Sequence, residues 1–476
     1  MPARSSASSS FAAVSLALAL SVASTCARAD APTAGQLAFR AIYQELVETN
    51  TTLSVGDCTI AAKAVAARLA SAGYPASDVH VIVPADMPKM GNIVALLPGQ
   101  DRKRKALLLL AHIDVVEAKR EDWVRDPFKL NEEDGYFYGR GTADDKAMAA
   151  IFVDAMVRFK RDGYRPKRAI KLALTCGEET PNHFDGARYL VERERELIDA
   201  AFALNEGGGG RLDANGRRLF NGVQAGEKVY QDYRLETTNS GGHSSRPTKD
   251  NAIYRLAAAL TRLSQYEFPV ELNDTTRAFF ARMADIEQGP QGADMRAVLT
   301  TPPDEAAMAR VVADPSKNAI LRTTCVATML DGGHAPNGLP QRAGANVNCR
   351  ILPGHSQEEV LATLERVVAD TGVKVTFKDA PEKVAAPPPL TKAILAPIEK
   401  VTAQMWPGVP VVASMAAGAT DGRFLTPAGI PTYGVSGIFG DPATTNAHGL
   451  NERVRVESLY EGRDFLDRLI RAYAAN

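Results

Sequence analysis

Residues Ala169 to Thr175 (AIKLALT) form a mostly apolar run that ends on Cys176-Gly177-Glu178-Glu179. A run of that length and make-up predicts a buried strand. The adjacent carboxylates at its far end then stand where an open α/β sheet presents groups to a ligand. Two carboxylates in one crevice repel. A proton on one of them, or a multivalent cation beside them, offsets that repulsion, so the rest of the chain must supply one or the other.

The flanking pattern sets the fold class. Amphipathic helices are expected over residues 34–72, and strands at Asn92 to Leu97 (NIVALL) and Ala106 to Ala111 (ALLLLA). The charged turn Gln100 to Lys105 (QDRKRK) parts these strands in a hairpin-like arrangement. Asp144-Asp145-Lys146 opens an Ala-rich helix to about Lys160, a helix follows over 184–197, and the strand Ala200 to Leu204 ends on Asn205-Glu206. This alternation predicts an α/β fold, with a sheet covered by helices on both faces.

From Val229 the texture changes. An alternating strand (Val229 to Thr237), a helix (Ala252 to Leu263), strands at Ala319 to Leu330 and Ala345 to Leu352, a helix (Ser356 to Asp370) and a strand (Val373 to Phe377) suggest a separate four-stranded α+β layer with helices on one side. Residues 268–318 read as a polar, partly helical insert of no clear architecture. The Pro-rich link Ala385 to Pro389 leads back. A helix from Leu390, strands at Val409 to Ser414 and Thr432 to Val435, and a last helix from Ser458 complete the first unit. The expected division is a leader (1–29), the first unit in two parts (30–227 and 384–476) and an inserted smaller domain (228–383). The 476 residues exceed one ordinary core, and 45% apolar content is ample for two.

Arg4, the run Phe11 to Ala23 and Ala27-Arg28-Ala29 follow the order of a secretory signal cleaved before Asp30, which implies an exported protein, periplasmic or secreted. The run is too short to span a bilayer and no later segment reads as transmembrane, so no membrane partner is expected after cleavage. Its removal changes 55 basic against 56 acidic residues to 53 against 56, a balance that argues against a nucleic-acid partner. Cys58, Cys176, Cys325 and Cys349 remain, an even number compatible with one or two disulfides. Cys325 with Cys349, on neighbouring predicted strands, is the preferred pair; four free thiols are the alternative.

His112 and Asp114, two apart beyond a buried strand, would point the same way if the strand persists. Asp144 begins a helix behind glycines, Glu206 precedes Gly207 to Gly210, and His448 lies in Asn446-Ala-His-Gly-Leu-Asn-Glu452. Singly, each has an ordinary alternative: a polar strand end, a helix cap, a turn residue, an exposed loop histidine. Together, His112, Asp144, Glu179 and Glu206 follow successive predicted strands or open a helix, so the fold gathers them at one edge, and His448 completes a metal-binding set.

The motifs His112-Ile-Asp114, Gly139-Arg-Gly-Thr-Ala-Asp144-Asp-Lys146, Gly177-Glu-Glu179, Gly241-Gly-His-Ser-Ser245 and His448-Gly-Leu-Asn-Glu452 occur in the order found in the M20 zinc exopeptidases and amidohydrolases, which the chain resembles over residues 34–476. The group includes carboxypeptidase G-like enzymes, aminoacylases and carnosinase-like dipeptidases. The resemblance implies a catalytic domain with an inserted lid or dimerisation domain, and two zinc ions, with manganese or cobalt as alternatives. One ion would be held by His112 and Glu206, the other by Glu179 and His448, with Asp144 bridging. It implies Glu178 as general base, Asp114 steering His112, and His243 as an oxyanion donor reaching into a partner subunit's site. Arg350 would grip a substrate carboxylate, with weaker substrate contacts at Asn337 and around Gly418. The implied substrate is a small peptide or N-acyl amino acid and the implied assembly a homodimer. The Gly139 to Lys146 wording leans toward dipeptidases and Glu206 toward carboxypeptidases and acylases; the residue that touches metal weighs more. A non-catalytic exported metal- or peptide-binding protein is the alternative from another class, against which stands the spare carboxylate of the Glu178-Glu179 pair.

Overall fold

The computed structural model describes residues 32–180, 183–441 and 445–475; the expected leader lies outside them. No helix among them is long and apolar enough to cross a membrane. The strand Leu107–His112 is buried along its whole length, and its alternation divides two cores. Leu107, Leu109 and Ala111 face a large cluster that includes Phe39 and Tyr43 from the helix Ala34–Glu48, Ala147 and Ile151 from Lys146–Arg161, and Phe465 from Val456–Ala474. Leu108 and Leu110 face a smaller cluster with Leu190, Ile198 and Leu425. Successive side chains of a strand point to opposite faces, so a strand apolar from Leu107 to Ala111 demands helices on both, as expected from the sequence.

Among the described residues the main sheet has ten strands. Along its path run Val79–Ile82, Asn92–Leu97, Ile170–Thr175, Leu107–His112, Phe202–Asn205, Thr432–Gly434, Arg218–Glu227, Gly209–Leu212 and Phe439–Gly440, with Val411–Ala416 beside Arg218–Glu227. The hairpin expected from the sequence does not form. Asn92–Leu97 pairs antiparallel with Ile170–Thr175, which pairs parallel with Leu107–His112. The charged link steps across the start of the intervening strand, where Gln100 N donates to Pro166 O and Asp101 N to Lys167 O, both at 2.9 Å. A strand buried on both faces fills both its edges, and here the parallel neighbours Ile170–Thr175 and Phe202–Asn205 take them.

The second sheet, in the order Thr324–Gly332, Arg342–Ile351, Val229–Thr238 and Val373–Phe377, is antiparallel throughout. The helices Ala252–Gln265 and Gln357–Val368 share its core, with Leu256, Leu263, Leu364 and Val368 among Tyr233, Leu235 and Val347. Its first strand begins at Thr324 rather than Ala319, because Asp314 caps a helix over Pro315–Leu321. Residues 268–318 resolve into the helices Asp274–Ile286, Pro290–Ala297, Glu305–Val312 and the start of Pro315–Leu321. Their core takes in Val412 and Phe220 of the ten-stranded sheet, and Thr275 Oγ1 donates to Ala225 O at 2.9 Å. Lys228 lies at the junction of the sheets, buried, with Nζ donating to Ala319 O, Arg322 O and Thr324 Oγ1 at 2.8–2.9 Å. Burial lowers its pKa to about 7, since these partners are neutral.

Two disulfides are present among the described residues. Cys325–Cys349 joins directly opposed residues of neighbouring strands, the expected pair. Cys58–Cys176, unforeseen, fastens the start of the helix Cys58–Ser71 to the turn before Glu178, and four free thiols are ruled out. Its cysteines are 118 residues apart against 24 for the other pair. Loop-closure entropy therefore predicts that Cys58→Ala with Cys176→Ala costs about 4–5 kcal/mol in denaturant unfolding. The double alanine variant of the other bridge should lose about 1 kcal/mol less; a larger loss there would overturn this account.

Candidate metal centre

His112 ends its strand with Nδ1 3.0 Å from the main-chain oxygen of Asp114. A carbonyl only accepts, so Nδ1 carries a hydrogen and Nε2 is the nitrogen left to face the carboxylates. The Asp114 carboxylate, expected to steer the imidazole, stands 3.7 Å from Nδ1. It accepts instead from Glu178 N at 3.3 Å and Glu179 N at 3.0 Å. Asp114 thus joins the ends of two strands, orienting the ring with its backbone and the Glu178-Glu179 turn with its side chain.

Nε2 of His112 faces Asp144 Oδ1 at 3.1 Å and Glu206 Oε2 at 3.8 Å. Nε2 of His448 faces Asp144 Oδ2 at 3.2 Å and Glu179 Oε1 at 2.9 Å. Asp144 therefore offers one oxygen to each imidazole. Ligand atoms of His112, Asp144 and Glu206 lie within 4.8 Å of one another, as do those of Asp144, Glu179 and His448, and those of His112, Glu178 and Glu179. The five expected ligands and Glu178 are brought together.

The meeting of His448 with Asp144 depends on Glu452, whose importance the sequence reading missed. Its buried carboxylate accepts from the backbone N–H groups of Gly141, Ala143 and Asp144 at 2.7–3.0 Å, and from Arg140 Nη1 at 2.8 Å. Arg140 Nη2 donates to Gly449 O at 2.9 Å, and Arg453–Arg455 pairs with Tyr136–Tyr138. The two loops are one assembly. The visible signal was an acid four residues past a histidine, which alone does not reveal its partners.

Protons alone balance this cluster poorly. Burial opposes a charge on His112, but Glu206, Asp144 and Asp114 hold its pKa well above the usual imidazole value. Hydrogen bonds to the Asp144 and Glu179 carboxylates push His448 up to about 10. Burial would raise Asp144, yet the two imidazoles hold it well below the usual carboxylate range. Burial, then the charge of Glu206, pushes both Glu178 and Asp145 far up, and one buried oxygen of Asp145 has no hydrogen-bond partner. Imidazole nitrogens and carboxylate oxygens gathered this closely suit a borderline divalent ion. A shared carboxylate suits a pair of them.

The other expected residues lie around this centre. Arg350 is half-buried, its guanidinium 4.7 Å from the centre of the Tyr230 ring, and the charges of Glu178 and Arg423 both act on it. His243 is exposed in a two-residue strand paired with Gly338–Leu339, and Ser244 N donates to Asn337 O at 3.0 Å. Among the described residues, no side chain of the cluster hydrogen-bonds to His243 or Asn337. Gly418 is exposed, and its loop meets the centre through two residues not singled out. Thr420 Oγ1 accepts from Asn205 Nδ2 at 3.1 Å, and Asp421 Oδ2 accepts from Thr175 Oγ1 at 2.5 Å.

Residues 108–472 match the model of peptidase family M20/M25/M40. The chain is 31% identical over 383 residues to the human N-fatty-acyl-amino acid synthase/hydrolase PM20D1, covering 79% of this chain and 75% of that one. It is 25% identical over 401 residues to mouse aminoacylase-1, covering 81% and 84%. Among solved structures, the M20 family metallo-carboxypeptidase Sso-CP2 from Sulfolobus solfataricus superposes with a TM-score of 0.69 at 17% identity, over 92% of this chain and 99% of that one. The family match reaches from the strand that ends on His112 to the last helix, and with it both imidazoles and the shared aspartate; the chain is an enzyme of peptidase family M20/M25/M40.

Proposed function

We propose that this enzyme hydrolyses the amide bond of a peptide or N-acyl amino acid next to a free carboxylate, using two divalent cations, zinc by expectation. The observation that carries the reading is Asp144, whose two oxygens each face a different imidazole. His112 and Glu206 would hold one ion and Glu179 and His448 the other, with Asp144 common to both. Bound there, the ions would supply Lewis acidity toward the amide carbonyl and lower the pKa of water.

Glu178 is the spare carboxylate. It shares a turn with Glu179, lies within 4.8 Å of ligand atoms of His112 and Glu179, and belongs to neither proposed ion's ligand set. In the proposed reaction it takes a proton from the attacking water and hands it to the leaving nitrogen. Burial, the first cause of its raised pKa, makes it a better proton acceptor than an exposed carboxylate. Arg350 would pair with the substrate carboxylate through its planar fork, with Asn337 and the Gly418 loop beside it. His243, exposed on the second sheet, would donate to the oxyanion across a dimer. The strand Thr324–Gly332 supports self-association, because it is an edge with Val326, Met329 and Leu330 each more than half exposed, a template for pairing with another chain. Export to the periplasm or outside the cell agrees with two disulfides.

Four outcomes are expected. Glu178→Gln should lower kcat by about 10²- to 10⁴-fold while metal content by elemental analysis stays at the wild-type value; an active variant would remove Glu178 from the proton transfers. Chelation should abolish activity and zinc restore it. Neighbouring carboxylates hold the pKa of His112 and His448 above the ordinary imidazole value, so a proton competes with metal at each ring. Zinc added to unbuffered metal-free protein at pH 7 should therefore release about two or more protons per pair of ions, with affinity rising as pH rises; titration without acidification would sink the assignment. Met329→Asp should shift the sedimenting species from dimer to monomer, whereas an unchanged dimer would place the interface elsewhere.

A further inference from the structure

All the proposed ligands but Glu206 sit in segments braced from elsewhere in the chain. Asp114 orients His112 with its carbonyl and the turn of Glu179 with its carboxylate, and Glu452 with Arg140 ties the loop of Asp144 to that of His448. For Glu206, the only side chain among the described residues placed to donate to its carboxylate is His112. Gly207, Gly208 and Gly209 follow it, all with positive φ. Glycines fit the sharp turn but bring no side chains to hold it, so the position of Glu206 must come from the strand before it and from whatever packs on the turn.

Asn205, the buried last residue of the strand Phe202–Asn205, supplies the first link. Its Nδ2 donates to Thr420 Oγ1 at 3.1 Å, Gly422 N donates to the same oxygen at 3.0 Å, and the Thr420 hydroxyl donates to Glu227 Oε2 at 2.8 Å. A hydroxyl has one hydrogen and two lone pairs, and here all three are used. An acceptor at 227 is what lets Thr420 turn both lone pairs toward Asn205 and Gly422. Glu227 ends the strand Arg218–Glu227, and Gln224 of the same strand stands against the turn itself: a Cβ on Gly207 would fall 2.3 Å from Gln224 Oε1. Asn205, Glu206, Gln224, Glu227 and Thr420 line one cavity. Burial pushes the Glu227 carboxyl up to about 8 against the hydrogen bond from Thr420, and the charge of Glu206 adds to the rise, so the two carboxylates stand within electrostatic reach of each other.

Resting on the two-ion reading proposed above, we infer that Glu227 is a positioning residue: acting through Thr420 and Asn205, it sets where Glu206 stands and hence the affinity for the ion of His112 and Glu206, and it leaves the ion of Glu179 and His448 alone. Partners that orient a ligand in this way change metal affinity by about 10- to 100-fold.

The test is zinc binding by the metal-free full-length chain, read by elemental analysis as zinc retained per chain over a series of buffered free zinc concentrations. The wild type should fill two sites. Thr420→Val and Glu227→Leu should each weaken one site by about 10- to 100-fold and leave the other at the wild-type value. Thr420→Ser and Glu227→Gln, which keep the hydroxyl and its acceptor, should bind zinc as the wild type does. In a His448→Ala background Thr420→Val should still weaken the remaining site, whereas in a His112→Ala background it should change nothing, because the ion it serves is already lost. Zinc binding untouched by Thr420→Val and Glu227→Leu, both sites weakened alike, or a loss that persists in the His112→Ala background would overturn the inference. Glu227→Gln binding as poorly as Glu227→Leu would overturn it in favour of the charge alone. A wild type that never retains more than one zinc per chain would sink the two-ion reading underneath instead.

Discussion

Glu452 is a buried carboxylate enclosed by three backbone N–H groups and the Arg140 guanidinium. Such charge is tolerated out of water only when opposite charge and hydrogen bonds meet it, so neither partner segment can leave without stranding the other. Burial still pushes its pKa up against those donors and Arg140. Because the donors come from the loop that carries Asp144 and the acceptor lies four residues beyond His448, just before the strand Arg453–Arg455, satisfying one anion brings together two ligands from distant parts of the chain. The shared geometry of Asp144 follows from this brace.

Much of the architecture was legible because it rests on local pattern. ALLLLA and AIKLALT are too apolar for anything but interior strands, and a parallel sheet places the residues just past its strands on one edge. That reasoning located His112, Glu179 and Glu206 from pattern alone. It failed where partners are chosen rather than propensities expressed. Asn92–Leu97 and Leu107–His112 each formed as strands, yet what decided their neighbours was the need of Leu107–His112 for two buried parallel edges. Cys58 found Cys176 through tertiary packing, and no spacing rule reaches across that separation. Residues 268–318 defeated periodicity because their helices are short and complete their core with Val412 from elsewhere. His243, Asn337 and Gly418 were singled out by motif; their surfaces are open here, and only Arg350 stands within electrostatic reach of Glu178.

The junction of the two sheets has its own logic. Lys228 follows the last residue of one long strand and precedes the first of the next, and its ammonium is satisfied by neutral oxygens around Thr324. An ion pair there would have held its charge more firmly, while three neutral acceptors hold its position. The strand that comes next contributes Tyr230, on which Arg350 rests. The geometry that fixes the crossover also fixes how far the guanidinium stands from the carboxylates.

The separation of ligand from base within Glu178-Glu179 is made by the turn, since the two side chains are chemically the same. Gly177 has φ +102°, and a Cβ there would fall 2.0 Å from Phe184 O; only glycine lets the chain turn so sharply against that carbonyl. The turn sends two consecutive N–H groups to the one carboxylate of Asp114, which fixes both backbones. Glu179 then reaches His448 at 2.9 Å, and Glu178 is left among carboxylates whose charge, added to burial, keeps it ready to hold a proton. Exchanging the two roles would require the backbone to turn the other way, and Gly177, Asp114 and the neighbouring disulfide all stand against that.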